Sequence, residues 1–321
     1  MKGQLEWRTA TVAVADEIAA DVRRLEFEVG SDVPRFDPGS HTNVRVMVDA
    51  GLATRTYTCV PAPRGRLAVA VKRHANSRGG SRFMWRLGVG EKVELSLPEN
   101  RFELSWRAPS YLLLAGGIGI TPIYGMALAL HRRGAELRVV YGGRGRAGMA
   151  FVDELLALGD CVTVHPGDGG RRIDIEAEIA ALPVDGELYA CGPIGMLDAI
   201  RAAWRTAGRA PGRLRYEVFG DSGMFAEALF EVDVAGRGMA VTVRPDQTLL
   251  EALIGAGVEM IYDCQRGECG LCAVDVLEAE AAIDHRDVFL SPQERAEGTR
   301  MCACVSRFAG GRARIDIGYR P

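Results

Sequence analysis

The stretch DCQRGECGLC, residues 263–272, places three cysteines, Cys264, Cys269 and Cys272, within nine residues. Downstream, RMCACVSR supplies Cys302 and Cys304 after twenty-nine and thirty-one intervening residues. A C-x4-C-x2-C run followed by a distant fourth cysteine is the ligand spacing of a plant-type [2Fe-2S] cluster. The spacing therefore predicts a cluster-binding loop near the C-terminal end of the chain.

Other uses of these cysteines are weaker interpretations. Cluster thiolates need N–H donors, and Gly267 and Gly270 let the backbone approach closely. A zinc site usually pairs two CxxC-type knuckles, and a thioredoxin-like Cys269–Cys272 pair needs a βαβ context that this segment does not clearly offer. Cys302 and Cys304 would face the same side of a strand, so spacing alone leaves the fourth ligand open.

Length and composition limit the remaining choices. With 321 residues, 48% of them apolar, the chain can bury the cores of two or three domains. Its 39 basic and 42 acidic side chains give no overall positive field of the kind that nucleic-acid binding uses. The start MKGQLEWRTATVAVADEIAADV shows no charged-then-apolar signal segment. We therefore expect a cytoplasmic protein with reduced thiols and no nucleic-acid partner.

One uncharged run of twenty residues, YLLLAGGIGITPIYGMALAL at 111–130, is long enough to suggest a membrane span. Gly116, Gly117, Gly119 and Pro122 interrupt it, which favours a short strand followed by a helix. We therefore expect no membrane association.

Changes of hydrophobic pattern divide the chain into three predicted domains. Residues 1–105 contain short alternating runs such as HTNVRVMV and RLAVAVKR, which are typical of a small antiparallel β-barrel. Residues 106–225 alternate apolar strands with helical stretches, as in an α/β domain with a parallel sheet. Residues 229–321 combine strands, a helix at TLLEALIGAG and the cysteine loop, which indicates an α+β module.

Two loops of the middle domain predict a nucleotide site. LLLAGGIGITPI, residues 112–123, places a glycine turn between an apolar strand and a helix, where backbone N–H groups can bind a pyrophosphate. ELYACGPIGM, residues 187–196, ends a later strand, so both loops would meet at the carboxyl edge of one sheet. An ordinary βαβ turn and a buried Cys191 are the alternative, but the pair of loops favours a nicotinamide nucleotide.

Two motifs of the first domain suggest a flavin. RTYT, residues 55–58, places Arg55 and Tyr57 on one face of a strand. In NSRGGSRFMWRL, Gly79, Gly80 and Ser81 lead into a helix, forming an anion site that Arg55 could complete. An ordinary strand arginine beside a capped helix is the alternative. The other motifs favour the flavin, because nicotinamide gives up two electrons as hydride and a [2Fe-2S] cluster accepts one at a time.

Together these motifs resemble the phthalate dioxygenase reductase type of oxygenase reductase, which supplies electrons to Rieske non-haem iron oxygenases. RTYT and SRGGS resemble its flavin motifs, AGGIGITP and CGPIGM its nicotinamide motifs, and CQRGECGLC with CVSR its cluster motifs. The match follows the domain order along the whole chain. It implies an FMN-binding antiparallel β-barrel, an NAD(P)H-binding α/β parallel-sheet domain and a plant-type ferredoxin (β-grasp) domain.

The resemblance also implies site residues. Those near the flavin are Arg55, Tyr57, Thr58, Val71, Lys72, Gly79, Gly80 and Ser81, with Thr58 replacing the commoner serine. Those near the nicotinamide nucleotide are Gly117, Gly119, Thr121, Arg144, Cys191, Gly192, Pro193 and Phe219. Arg144 would lie on the adenosine side, and it leaves NADH and NADPH both open. The CVSR context implies that Cys304 joins Cys264, Cys269 and Cys272 as a cluster ligand.

The implied function is an NADH-dependent reductase component that passes electrons through FMN and a [2Fe-2S] cluster to a separate Rieske-type oxygenase. That partner would be an aromatic-ring dioxygenase or a demethylating monooxygenase. Hydride transfer itself requires no acid–base residue, so no catalytic side chain is predicted. We expect the chain to be monomeric by itself. The alternatives are a reductase for another acceptor, such as a diiron monooxygenase, and a zinc-stabilised binding module without enzymatic activity.

Overall fold

The computed structural model describes residues 6–31, 33, 35–48, 51–74, 79–170, 172–219, 225 and 228–318. Contacts group the chain into two compact units, Met1–Glu217 and Val218–Pro321. A barrel and a parallel sheet lie in the first unit, and a mixed sheet lies in the second. The boundaries 1–105, 106–225 and 229–321 stay a prediction.

An antiparallel barrel forms the N-terminal part of the first unit. Its strands are β1 (Trp7–Ala19), β2 (Val22–Glu28), β3 (Ser40–Val48), β4 (Gly51–Val60), β5 (Arg66–Lys72), β6 (Lys92–Ser96) and β7 (Glu99–Asn100). The order is β4-β5-β2-β1-β6-β3-β7, and a further pairing of β3 with β4 closes the barrel. Alternate residues such as Leu25, Phe27, Val44 and Val46 fill the interior, as a period-two pattern predicts. Helix α1 (Gly80–Arg86) packs against β3 and β5.

A parallel sheet follows in the first unit. Its strands are β8 (Ser110–Gly116), β9 (Glu136–Gly143), β10 (Val162–Pro166), β11 (Glu187–Gly192) and β12 (Leu214–Val218), in the order β10-β9-β8-β11-β12. The intervening helices are α2 (Ile120–Arg132), α3 (Val152–Leu156), α4 (Ile175–Ala180) and α5 (Ile194–Thr206). Strands β8 to β11 pair in parallel, and every residue of β8 is buried. Burial on both faces explains the continuous apolar run of β8.

The uncharged run 111–130 folds into a strand and a helix, as predicted. β8 ends at Gly116, a 3-10 turn spans Gly117–Gly119, and α2 begins at Ile120. Among the helices of the described residues, none has the length and apolar character that a membrane span requires.

The second unit is built on a mixed sheet. Its elements are β13 (Phe230–Val234), β14 (Met239–Val243), α6 (Leu249–Gly255), β15 (Ala273–Ala279), β16 (Ile283–Asp284), α7 (Pro292–Glu297), β17 (Arg300–Cys302), β18 (Arg307–Phe308) and β19 (Arg312–Asp316). The sheet order is β14-β13-β19-β15-β17, with β13 and β19 parallel. A capping box of Thr248 and Glu251 starts α6.

A buried arginine ties loops of the second unit together. The guanidinium of Arg307 donates to the carbonyl oxygens of Gln247, Ala228 and Arg244, the last two at 3.1 and 3.0 Å, and lies 5.1 Å from the ring centre of Phe230. These contacts satisfy carbonyl groups that burial would otherwise make costly.

The predicted succession of antiparallel barrel, parallel α/β sheet and α+β module is confirmed.

Candidate flavin, nicotinamide and iron–sulfur sites

The barrel opens between β4 and β5. These strands pair only at Cys59–Val69 and Val60–Ala68. The same register would continue to Thr58–Ala70 and then Tyr57–Val71, but these residues do not pair with each other, while β4 still pairs with β3 and β5 with β2. The pairing of β4 with β5 thus stops at Cys59–Val69, and we call the unpaired region between their facing edges the β4–β5 slot.

The residues expected near a flavin ring border this slot. Thr58 is buried and Tyr57 packs against the barrel core. The carbonyl of Val71 accepts a hydrogen bond from the indole nitrogen of Trp85 at 2.9 Å, so α1 reaches the same place. The ammonium of Lys72 lies 2.8 Å from a carboxylate oxygen of Asp21. The slot thus combines an aromatic, a hydroxyl and backbone groups.

Arg55 lies against the glycine turn that starts α1. A Cβ on Gly80 would lie 2.7 Å from Cγ of Arg55, and a Cβ on Gly79 would lie 2.6 Å from Cγ1 of Val48. Gly79 also has a φ of 87°, which favours glycine. Packing therefore brings together Arg55 and Gly80, which are twenty-five positions apart in the sequence. Asn76, Ser77 and Arg78 of the second motif lie outside the described residues.

The two nucleotide loops touch at the carboxyl edge of the parallel sheet. Ala115 of β8 pairs with Cys191 of β11, which aligns the ends of the two strands. A Cβ on Gly119 would lie 2.2 Å from the carbonyl oxygen of Cys191, and one on Gly116 would lie 2.7 Å from Cδ of Pro193. Glycine is therefore required at both positions for this approach. The turn 117–119 also packs against β5, which borders the β4–β5 slot.

Individual side chains of these loops are placed as follows. Cys191 is fully buried, and its backbone carbonyl group lies against the glycine turn. Thr121 is buried and its hydroxyl donates to the carbonyl of Ile118 at 3.1 Å, which stabilises the turn from inside. Arg144 is exposed just after β9, at the same edge of the sheet. Phe219 is partly buried directly after β12, and its position beside a flavin stays a prediction.

The cysteine loop surrounds sulfur atoms with backbone N–H groups. The N–H groups of Arg266 and Glu268 each approach Sγ of Cys264 to 3.4 Å. The backbone turns tightly at three positions with positive φ values, which are 53° at Gln265, 74° at Gly267 and 72° at Gly270. A Cβ on Gly270 would lie 2.3 Å from the ring of Phe289, so only glycine fits there. This donor-lined loop suits a cluster of negatively charged thiolates.

Cys302 and Cys304 both hydrogen bond to Cys272, but their other neighbours differ. The pKa of Cys304 is raised by the bond to Cys272, by burial and by Cys264, and the N–H of Gly267 opposes this shift. The pKa of Cys302 is raised by the bond to Cys272, by burial and by the charge of Asp287. Cys304 thus lies near both ends of the 264–272 loop. The expectation that the two share one strand face is wrong, because β17 ends at Cys302 and Cys304 lies in the following turn.

Comparison with known proteins agrees with these sites. A model of the 2Fe-2S iron-sulfur cluster binding domain matches residues 232–309, and one of the oxidoreductase FAD-binding domain matches residues 9–104. A toluene-4-sulfonate monooxygenase system reductase subunit of Comamonas testosteroni is 38% identical over 96% of this chain and 98% of its own length. Phthalate dioxygenase reductase of Burkholderia cepacia is 34% identical over 95% of this chain and 96% of its own length. The chain belongs to the phthalate dioxygenase reductase family of oxygenase reductases.

Structural comparison agrees with this assignment. The solved structure of phthalate dioxygenase reductase superposes with a TM-score of 0.74 and 30% identity, over 97% of this chain and 98% of that one. The beta subunit of a heme-dependent oxidative N-demethylase of Ectopseudomonas mendocina is 34% identical over 95% of this chain and 97% of its own length. The predictions of an oxidoreductase, a flavin and a [2Fe-2S] cluster are confirmed. The non-enzymatic zinc module is therefore wrong.

Sequence reasoning missed a buried polar segment of this oxygenase reductase. Asp284, Arg286 and Asp287 are each at most 3% exposed and lie directly before an apolar stretch. In the sequence, this segment is marked only by several charged residues next to the apolar run VFL. Surface loops show the same pattern, so it does not indicate burial. Their contacts with the cysteine loop appear only in the fold.

Proposed function

We propose that this oxygenase reductase is NADH-dependent, binds FMN and donates electrons to a separate Rieske-type oxygenase. When bound, the flavin accepts hydride and passes electrons singly to the cluster. The chain contributes placement, because hydride transfer requires the nicotinamide and the flavin to be in contact. The packing of the 117–119 turn against β5, beside the β4–β5 slot, is the observation that carries this proposal.

The flavin site uses one end of the barrel. Arg55 and Ser81, with the amides of Gly79 and Gly80, bind the phosphate, and the contact of Arg55 with Gly80 supports this grouping. Tyr57, Thr58 and the backbone of Val71 and Lys72 surround the ring. A single phosphate cradle and the resemblance of the motifs support FMN over FAD.

The nucleotide site uses the touching loops. Gly117, Gly119 and Thr121 shape the turn along the nucleotide, while Cys191, Gly192 and Pro193 lie beside the nicotinamide. Arg144 meets the adenosine side, where its position directly after β9 fits such a contact. Phe219 completes the flavin–nicotinamide contact. Steady-state rates with NADH and NADPH test the preference for NADH directly.

The cluster ligands are Cys264, Cys269, Cys272 and Cys304. The proximity of Cys304 to both Cys264 and Cys272 supports its choice over Cys302. Counting iron and inorganic sulfide in the purified protein tests whether these four thiolates hold the cluster. We further propose a monomer, which sedimentation velocity tests.

The family assignment favours an oxygenase as electron acceptor, and the name of the Comamonas relative supports this. The relative named as a subunit of a heme-dependent oxidative N-demethylase favours a haem oxygenase as second candidate. Both candidates need the same electron carriers in this chain. They differ in which purified acceptor is reduced.

An anaerobic titration tests the carriers first. Absorbance is recorded before and after stoichiometric NADH, with released flavin identified as FMN or FAD and iron counted. Bleaching of both flavin and [2Fe-2S] bands supports the proposal, whereas bands that NADH leaves unchanged contradict it. Turnover is then compared with purified Rieske, haem and diiron oxygenases, and reduction of only a haem or diiron acceptor would reject the Rieske partner.

A further inference from the structure

A buried charged segment, the DHRD segment (residues 284–287), lies beside the cysteine loop. The guanidinium of Arg286 pairs with Asp284, with Nε and Nη2 at 2.9 and 2.8 Å from Oδ2. The two side chains are 4% and 2% exposed, so this pair is nearly desolvated. The charge of Asp284 is therefore paired with that of Arg286.

Asp287 is fully buried and holds its charge through other contacts. Its Oδ2 accepts the N–H of Leu290 at 2.9 Å, and its Oδ1 accepts the hydroxyl of Ser306 at 3.1 Å. Nδ1 of His285 lies 3.5 Å from Oδ1. Burial acts to raise the pKa of Asp287, but the His285 and Leu290 contacts outweigh it and the pKa is lowered. The carboxylate is therefore ionised at neutral pH.

The same residue lies where the two cysteine-bearing segments meet. The carbonyl of Gly267, inside the 264–272 loop, accepts the N–H groups of Val288 and Phe289 at 3.0 and 3.1 Å. A Cβ on Gly267 would lie 2.8 Å from Cα of Asp287 and 2.7 Å from Cγ2 of Val305. Ser306, two residues after Cys304, also accepts the N–H of Arg286 at 3.1 Å. Asp287 thus connects both segments.

We propose that Asp287 is a positioning residue that ties the 264–272 loop to the Cys304 turn and, through its buried charge, makes the cluster harder to reduce. This inference rests on the proposed cluster ligands. A reduced [2Fe-2S] cluster carries one more negative charge than the oxidised form, and a neighbouring carboxylate in a desolvated setting disfavours that charge. Ser306 assists by holding the carboxylate against the turn.

Asp287→Asn in the full holoenzyme tests the charge. The amide oxygen can accept the Leu290 N–H while the amide nitrogen donates to Ser306, so the geometry is kept and only the charge is lost. In an anaerobic redox titration followed by electron paramagnetic resonance, we expect a midpoint potential more positive than in the wild type. At the wild-type midpoint, the reduced-to-oxidised ratio should rise several-fold.

Glu278→Gln is the matched control, because it removes one negative charge from a side chain of the same unit that is 75% exposed. Water and salt screen that charge, so its potential should equal that of the wild type. Ser306→Ala keeps the charge of Asp287 but removes the hydroxyl group that donates to its carboxylate. It therefore provides a second test if Asp287→Asn does not fold. We expect it to lose iron to a chelator several-fold faster than the wild type.

Two results would overturn the inference in distinguishable ways. A wild-type protein without a [2Fe-2S] signal removes the proposed cluster site and this inference with it. A normal wild-type signal, with an unchanged potential in Asp287→Asn and unchanged iron loss in Ser306→Ala, removes the inference alone.

Discussion

The carbonyl oxygen of Cys191 occupies the space that a side chain on Gly119 would need, since a Cβ there would approach it to 2.2 Å. The contact joins two loops separated by some seventy residues and sets the shape of the carboxyl edge of the parallel sheet. A nucleotide bound at this edge therefore depends on a residue with no side chain.

Gly119→Ala should separate these loops and misplace the nicotinamide. Because small misplacements of reacting groups are costly, we expect flavin reduction by NADH to slow about ten- to a hundred-fold. Anaerobic stopped-flow absorbance measures the rate, with flavin and iron contents unchanged. Gly212→Ala is the control, since a Cβ at that position would meet no atom within 4 Å. A wild-type rate in Gly119→Ala would contradict the placement.

Arg55→Ala should release the flavin. Arg55 contacts the Gly80 turn, so its loss removes the cationic partner of the phosphate while the barrel core stays intact. The flavin-to-protein ratio after desalting should fall sharply while iron content stays constant. Arg45→Ala on the neighbouring strand removes an exposed 2.7 Å pair with Glu94 and a contact of the guanidinium with the ring of Trp7, and it should keep its flavin. Equal flavin retention in both variants would argue against Arg55.

Serine variants decide the fourth cluster ligand. Cys302→Ser should keep the [2Fe-2S] absorbance and resonance spectra, because Cys304 is the cysteine near both Cys264 and Cys272. Cys304→Ser should lose the cluster or change its resonance signal. The reverse pattern would assign Cys302 as the ligand.

Glu26 should make barrel stability depend on acid pH. Burial acts to raise its pKa, but hydrogen bonds from Arg24 and Arg66 at 2.8 and 3.0 Å outweigh it and lower the pKa from 4.5. Because the pKa of Glu26 is lower in the folded than in the unfolded protein, its ionised carboxylate stabilises the folded protein above about pH 4.5. This stabilisation is lost as the pH falls through the folded-state pKa. Glu26→Gln should therefore be less stable than the wild type at pH 7.

Urea unfolding at pH 7 and near pH 3.5 measures this difference. The gap between Glu26→Gln and the wild type should shrink at the lower pH, which lies below the ordinary glutamate pKa of 4.5. Arg45→Ala, which breaks an exposed pair, should show a small effect at both pH values. A gap that stays constant with pH would show that the Glu26 charge does not stabilise the barrel.

The fold class and the kinds of site could be predicted from the amino-acid sequence, because these follow from local rules. Alternating runs predict barrel strands, continuous apolar strands followed by helices predict a parallel sheet, and glycine turns or C-x4-C-x2-C spacing predict phosphate and cluster loops. Such signals require only residues close together in the chain. The order of the motifs then indicated the family.

How distant residues meet could be seen only in the folded chain. The point where β4 and β5 stop pairing, and the end of β17 that leaves Cys304 in a turn, are examples. The contact of Asp287 with Ser306 joins residues nineteen positions apart through burial rather than through any local pattern. Packing sets these relationships, since many registers satisfy the same alternation of apolar and polar residues but only one fills the core.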